Sequence, residues 1–217
     1  VRNLTAVQTR DVARMLTLGG GANFSVPGAG KTTMAYVTYA ALRARGTIDR
    51  CIVVAPLSAH EAWQTEPLAV FGPGSQPDVL VRPDVPHGDI IVVNYEFVES
   101  PARMELLRAW MAAGSSLVIF DEVHRAKAVS TGVRGAASLA LSRAAHRRIV
   151  LTGTPRPNGP EDLVNILEVA YPSRGASLAS GSPDRLRRVY CRATKAELGL
   201  PPLVPRTDRV PMSAAHD

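Results

Sequence analysis

The stretch Ser25 to Thr33, SVPGAGKTT, gathers the residue types that phosphate oxygens require. Gly28 and Gly30 leave the backbone bare so that N–H groups can converge on an anion, Lys31 supplies a flexible cation, and Thr32 supplies a hydroxyl for a metal ion. The pattern Gly, four free positions, Gly-Lys-Ser/Thr is met in its second half by Gly30-Lys31-Thr32, while Ser25 stands where the first Gly belongs. A small serine at that entrance costs little. A second group is LVIFDEVH, in which Asp121 and Glu122 directly follow four apolar residues. At the end of a buried strand, Asp121 can reach a magnesium ion beside Thr32, and Glu122 can orient and deprotonate an attacking water. On their own, two adjacent acids read as a solvated turn. Their company with the glycine loop favours the chemical reading.

Both groups need elements to hold them. Before the loop, Phe24 and Val26 read as the end of a short buried strand; after it, KTTMAYVTYAALRA carries apolar residues at helical spacing, with Gly46 as its stop. RCIVVAP, Arg50 to Pro56, is a continuous apolar run of the kind buried on both faces of a sheet, and Ser58 then stands as an N-cap for AHEAWQTEPLAVF. DVLV, DIIVVNY, SSLVIFDE and RRIVLTGT read as further strands, and PARMELLRAWMAA, VRGAASLALSRAA and PEDLVNILEVA as helices. Residues 172–183, PSRGASLASGSP, are loop-like by composition. Strands alternating with helices predict an α/β fold with a largely parallel sheet covered on both faces, whose ligands bind at the carboxyl ends of the strands. The phosphate loop, Pro56-Leu57-Ser58, Asn94-Tyr95, Asp121-Glu122 and Thr152-Gly153-Thr154 all follow apolar strands, and so share that edge.

The bulk properties set bounds. A chain of 217 residues with 46% hydrophobic content can build one substantial core. No apolar run approaches the roughly 18 residues of a membrane span, and no signal segment opens the chain, so a cytoplasmic setting without membrane contact is expected. Cys51 and Cys191 lack metal-ligand spacing and read as structural thiols in a reducing compartment. A formal charge of +6 suits a polyanionic partner, although a solvated basic surface explains it as well. The opening Val1 and the closing PMSAAHD suggest a segment of a longer protein.

SVPGAGKT, VVAPLSAHEAWQTE, IIVVNYE, LVIFDEVHRAK and IVLTGTPRPN, in this order and spacing, resemble motifs I, Ia, Ib, II and III of superfamily-two helicases, and most of all those of Swi/Snf-type DNA translocases. The resemblance runs from about Leu4 to about Pro202. Leu4 and Gln8 resemble the family's adenine-contacting element, Trp63 and Glu66 its W..E pair, Lys127 the lysine after the acid box, and CRATKAELGLPP the element that closes its first lobe. Val123, Asn94, Ala128 and Pro157 depart from the usual residues, which bears on nucleic-acid contact and coupling more than on the nucleotide site. The short loop after motif III resembles compact prokaryotic or phage-type members.

The resemblance implies a RecA-like three-layer α/β/α lobe over residues 1–190, with residues 191–217 leading toward a second RecA-like lobe that carries the arginine finger. It implies ATP and Mg²⁺ as ligands, with Gln8 on adenine, Pro27 to Thr33 (Pro27, Gly28, Ala29, Gly30, Lys31, Thr32, Thr33) around the phosphates, and Thr32 and Asp121 on the metal. It implies Glu122 acting on water and His124 bridging the nucleotide to Thr152 and Thr154. Ser58, Asn94, Tyr95 and Arg156 become candidates for contact with nucleic acid, most of all double-stranded DNA, through phosphates rather than bases. Trp63 reads as a core residue. The activity implied is nucleic-acid-dependent ATP hydrolysis driving movement along DNA. The alternatives are a strand-separating DNA or RNA helicase, a restriction or defence-system motor, or a non-hydrolysing nucleotide-gated interaction module.

Overall fold

The computed structural model describes residues 2–18, 20–126 and 132–199. Its strands are β1 (Gly20–Asn23), β2 (Arg50–Val54), β3 (Val79–Val81), β4 (Ile90–Val93), β5 (Ser116–Asp121), β6 (Arg147–Leu151) and β7 (Tyr190–Cys191). Its helices are α1 (Ala6–Thr17), α2 (Lys31–Ala44), α3 (His60–Phe71), α4 (Tyr95–Glu99), α5 (Pro101–Ala112), α6 (Val133–Ala144), α7 (Pro160–Ala170), α8 (Gly175–Ala179) and α9 (Pro183–Arg187).

The strands form one parallel sheet in the order β3-β4-β2-β5-β6-β1-β7. Alternation along each strand feeds two cores. In β5, Leu117 and Ile119 pack toward α1, α2 and α3, whereas Val118 and Phe120 pack toward α4, α5, α6 and α7. Both faces are therefore apolar, which is why the central strands read as unbroken hydrophobic runs. The expected three-layer α/β/α fold is present.

The register aligns the strand ends. Asn23 pairs with Leu151 and Leu151 with Asp121, while Val54 lies beside both Phe120 and Val93. The residues after Asn23, Val54, Val93, Asp121 and Leu151 consequently emerge along one edge, as the sequence predicts.

Three local expectations change. The strand before the glycine loop is Gly20–Asn23, and Phe24 and Val26 follow it. Glycine is needed there because a Cβ on Gly20 would lie 2.3 Å from the Ala170 carbonyl oxygen, so close packing of the α7 end hides the strand from hydrophobicity. Ser58 does not cap α3; Pro56 opens a 3₁₀ turn over Leu57–Ala59, the helix begins at His60, and Ser58 stays exposed. Within residues 172–183, the short helix α8 forms because buried Leu178 joins the core and α8 packs on α7. Lys127, Ala128 and the Leu200-Pro201-Pro202 end of the closing element lie outside the described residues.

Candidate functional site

The glycine loop runs from the end of β1 into α2. Ala29 N–H donates to the Val26 carbonyl at 3.2 Å, and Gly28 and Gly30 take φ values of +81° and +80°, a left-handed backbone that a β-carbon would strain. No side chain caps α2, so its first N–H groups stay available to an anion. Lys31 Nζ donates to the Ser25 carbonyl at 3.0 Å. Lys31, Thr32, Thr33, Asp121 and Glu122 border one cavity of about 380 Å³.

Gln8 lies against this loop. Its Nε2 donates to the Ala29 carbonyl at 3.1 Å, and its Oε1 accepts from the Thr5 N–H at 3.1 Å in a capping box that starts α1. A Cβ on Gly30 would meet Gln8 Nε2 at 2.4 Å, so the glycine also admits this contact.

Asp121 ends β5 and is 7% exposed. Its Oδ2 accepts from Trp63 Nε1 at 2.9 Å, and its Oδ1 accepts from the Glu122 N–H at 3.0 Å. Burial raises its pKa above the ordinary value, while the Trp63 donor pulls the other way. Trp63 is indeed a core residue, with Tyr36 against it at 5.1 Å, but its indole N–H also fixes the orientation of the carboxylate. Glu122 follows with φ +48°, a left-handed conformation uncommon for a non-glycine residue, which turns the chain sharply off the sheet.

His124 gathers the coupling candidates. Its Nδ1 is 3.1 Å from Glu122 Oε2, 3.0 Å from Thr152 Oγ1 and 3.4 Å from Thr154 Oγ1. Thr152 is fully buried, its N–H donates to the Asn23 carbonyl at 3.1 Å, and its hydroxyl accepts from the Thr154 N–H at 3.1 Å. The histidine thus links β5 to β6, and β6 links to the strand that leads into the glycine loop.

The nucleic-acid candidates separate. Ser58 and Arg156 are exposed at the edge, where they can meet a phosphate. Tyr95 is not: it is 1% exposed, and its hydroxyl donates to the Asp121 carbonyl at 2.8 Å, so burial consumes the group expected to face a phosphate. Asn94 is 6% exposed and borders the same hollow as Ser58, and one of the two Nδ2 hydrogens goes to Glu96 at 2.6 Å. Arg125 and, not singled out in the sequence, Arg134 border this hollow of about 250 Å³ together with Ser58.

Two further features escaped sequence reasoning. Ser25, at the departure from the glycine pattern, accepts from the Ala193 N–H at 2.8 Å and sits 3.4 Å from Asp11 Oδ2, tying the loop to the segment after β7. Arg2 borders the same cavity as Lys31, and Glu66 lies beside it at 2.5 Å. Nothing local marks Arg2, because its partners are far along the chain.

Among the described residues, no group of three or more His, Cys, Asp or Glu side chains could hold a metal ion. A cation at Thr32 and Asp121 would have to complete its shell with phosphate oxygens and water, as Mg²⁺ characteristically does. The donors present therefore fit a phosphate-bound magnesium ion. No helix among the described residues is long and apolar enough to cross a membrane.

A parallel sheet with a glycine loop after β1 and an acid pair at the end of β5 defines the RecA-like lobe of helicase-like, nucleotide-binding ATPases. The chain belongs to the family described as "Type III restriction enzyme, res subunit", whose model matches residues 24–157. It is 29% identical over 149 residues to the mouse protein "DNA annealing helicase and endonuclease ZRANB3", covering 65% of this chain and 13% of that one. Its fold matches the SWI2/SNF2 ATPase core of Sulfolobus solfataricus in complex with double-stranded DNA, with a TM-score of 0.69 at 19% identity over 92% of this chain and 46% of that one. A structure of the Sulfolobus solfataricus SWI2/SNF2 ATPase core domain matches with a TM-score of 0.69 at 21% identity, over 93% of this chain and 46% of that one. The chain thus spans less than half the length of each of these relatives. Together they support the Swi/Snf-type, superfamily-two reading of the motifs.

Proposed function

We propose that this chain is the ATP-binding lobe of a Swi/Snf-type motor that hydrolyses ATP to move along double-stranded DNA. The observation that carries the reading is the buried Asp121 carboxylate, held by the Trp63 indole N–H beside the glycine loop, with Glu122 next to it in contact with His124. The likeness to a DNA-bound SWI2/SNF2 core and to a DNA annealing helicase supports DNA as the partner.

In this reading the loop N–H groups and Lys31 bind the phosphates, and Gln8 turns its amide from Ala29 and Thr5 toward adenine. Thr32 and Asp121 hold Mg²⁺, which neutralises phosphate charge when bound. Glu122 orients the attacking water and takes its proton. His124 exchanges its contact with Glu122 for contact with the γ-phosphate side, and Thr152 and Thr154 carry that change to the edge where Ser58 and Arg156 lie. Residues 191–217 lead into a second lobe whose arginine completes the site.

The family description also admits the restriction-system motor named among the alternatives. Both readings share this nucleotide chemistry and differ in what the motor serves.

The test compares ATPase rates of the chain and of the protein extended through the second lobe, each with and without duplex DNA. The chain alone should bind ATP and hardly turn it over, since a missing arginine finger lowers the rate by ~10³ to 10⁵. Extension should restore turnover, and duplex DNA should raise it further. Rapid, DNA-independent hydrolysis by the chain alone would refute the half-motor reading and direct attention to Arg125 and Arg156.

A further inference from the structure

We infer that Arg2 is a nucleotide-binding residue that engages the α-phosphate end of the substrate. This rests on the nucleotide reading above and extends it to a residue outside the recognised motifs.

Position is the first ground. Arg2 borders the same cavity as Lys31 and Thr32, and its backbone is pinned there by its N–H donating to the Ala69 carbonyl at 2.8 Å, on α3. Its Nη1 lies 3.2 Å from Thr33 Oγ1 and 2.5 Å from Glu66 Oε1, and Thr33 and Glu66 are themselves hydrogen-bonded. The segment before α1 is thereby clamped over the first turn of α2.

Charge is the second. Glu66, with its side chain only 18% exposed, adds a third carboxylate to a cavity that already holds Asp121 and Glu122. Lys31 alone is a poor match for three carboxylates if a polyphosphate is to enter. Arg2 offsets Glu66. Both of its side-chain contacts run through Nη1, so the Nη2 and Nε donors have no partner among the described residues. A guanidinium presents five N–H groups in a planar fork, so one edge can hold Glu66 while the other meets a phosphate.

Place along the substrate is the third. Arg2 sits at Thr33, past Lys31 and Thr32, and contacts neither Asp121 nor Glu122. In a phosphate loop the backbone cradles the α- and β-phosphates, and the lysine reaches the β- and γ-phosphates. A cation displaced toward Thr33 is therefore on the α-phosphate side. It strengthens ATP and ADP alike, which is uniform binding and leaves the chemical step unaltered.

The experiment measures ATP and ADP affinity in Mg²⁺ by calorimetry for the parent, Arg2→Ala, Arg2→Gln and Lys31→Ala, with urea midpoints as a folding control. The expected result is an equal loss for ATP and ADP in Arg2→Ala, of ~10-fold or more for removal of a charge-assisted hydrogen bond. In the hydrolysing protein KM should rise by the same factor with kcat unchanged. If Arg2→Ala does not fold, Arg2→Gln, which removes the charge and leaves a shorter polar side chain, decides by the same comparison. Parental affinity in the Arg2 variants with loss in Lys31→Ala would overturn the role of Arg2 and leave the site standing. Loss for ATP alone would overturn the α-phosphate placement. Parental affinity in Lys31→Ala as well would overturn the nucleotide reading itself.

Discussion

Trp63 and Asp121 offer the most direct test of how the site is held. The indole N–H donates to the carboxylate at 2.9 Å, and Trp63 is fully buried, so water cannot take the carboxylate's place at the indole N–H; Asp121, 7% exposed, meets solvent only on its cavity side. A hydrogen bond to a charged group is worth about 1.5–3 kcal/mol, and a buried partner left unpaired costs about 1–3 kcal/mol. Trp63→Phe also loses packing against Tyr36, so a single variant mixes two effects. A double-mutant cycle removes the mixture. Trp63→Phe and Asp121→Ala should each lower urea-unfolding stability, and the double variant should lose less than their sum by about 1.5–3 kcal/mol. The pH dependence gives a second reading. Burial raises the Asp121 pKa, so the folded state keeps this proton to higher pH than the unfolded chain. That contribution to stability is present at low pH and is lost as pH rises through the raised pKa. The Trp63 donor holds the pKa down, so in Trp63→Phe the loss should extend to higher pH than in the parent. Additivity of the two substitutions within about 0.5 kcal/mol would refute the proposed coupling.

Other outcomes follow from the same geometry. Lys31→Ala should abolish nucleotide binding, whereas Glu122→Gln in the protein with both lobes should bind ATP and not hydrolyse it; parental turnover in Glu122→Gln would remove it as the base. Gly20→Ala should cost about 1–3 kcal/mol by overpacking, because its Cβ would lie 2.3 Å from the Ala170 carbonyl oxygen. Gly21→Ala, whose nearest neighbours are 3.9 Å away, should stay close to the parent in the same urea titration. DNA binding by the chain should be weak, blind to base sequence and steeply lost as salt rises, because the contacts proposed for Ser58 and Arg156 are to phosphates; a salt-insensitive affinity in a titration from low to high salt would contradict this.

Much of the molecule is local information and was legible in the sequence. Apolar runs bounded by glycine and proline locate β2, β4, β5 and β6 because a strand covered on both faces must be apolar throughout. The glycine loop and the acid pair are equally local, since phosphate and metal chemistry restrict residue type at fixed spacing. β1 was less legible: its Gly20-Gly21-Ala22-Asn23 sequence is set by the close approach of α7, a constraint from elsewhere in the chain.

Tertiary structure alone decided which residues share the site. The order β3-β4-β2-β5-β6-β1-β7 follows from packing of whole elements, and it sets β6 between β1 and β5 so that Asp121 borders one cavity with the glycine loop and Thr152 bonds the end of β1. It joins Trp63 to Asp121 across 58 residues, Arg2 to Thr33 across 31, and Ser25 to Ala193 across 168. It also turns Tyr95 inward, where burial of the ring and a bond to the Asp121 carbonyl outweigh an exposed hydroxyl. Residue type and short-range spacing determine what chemistry each loop can offer. Which carboxylate is buried, which donor holds it and which cation faces it depend on contacts between distant segments, and those exist only once the two cores have packed against the sheet.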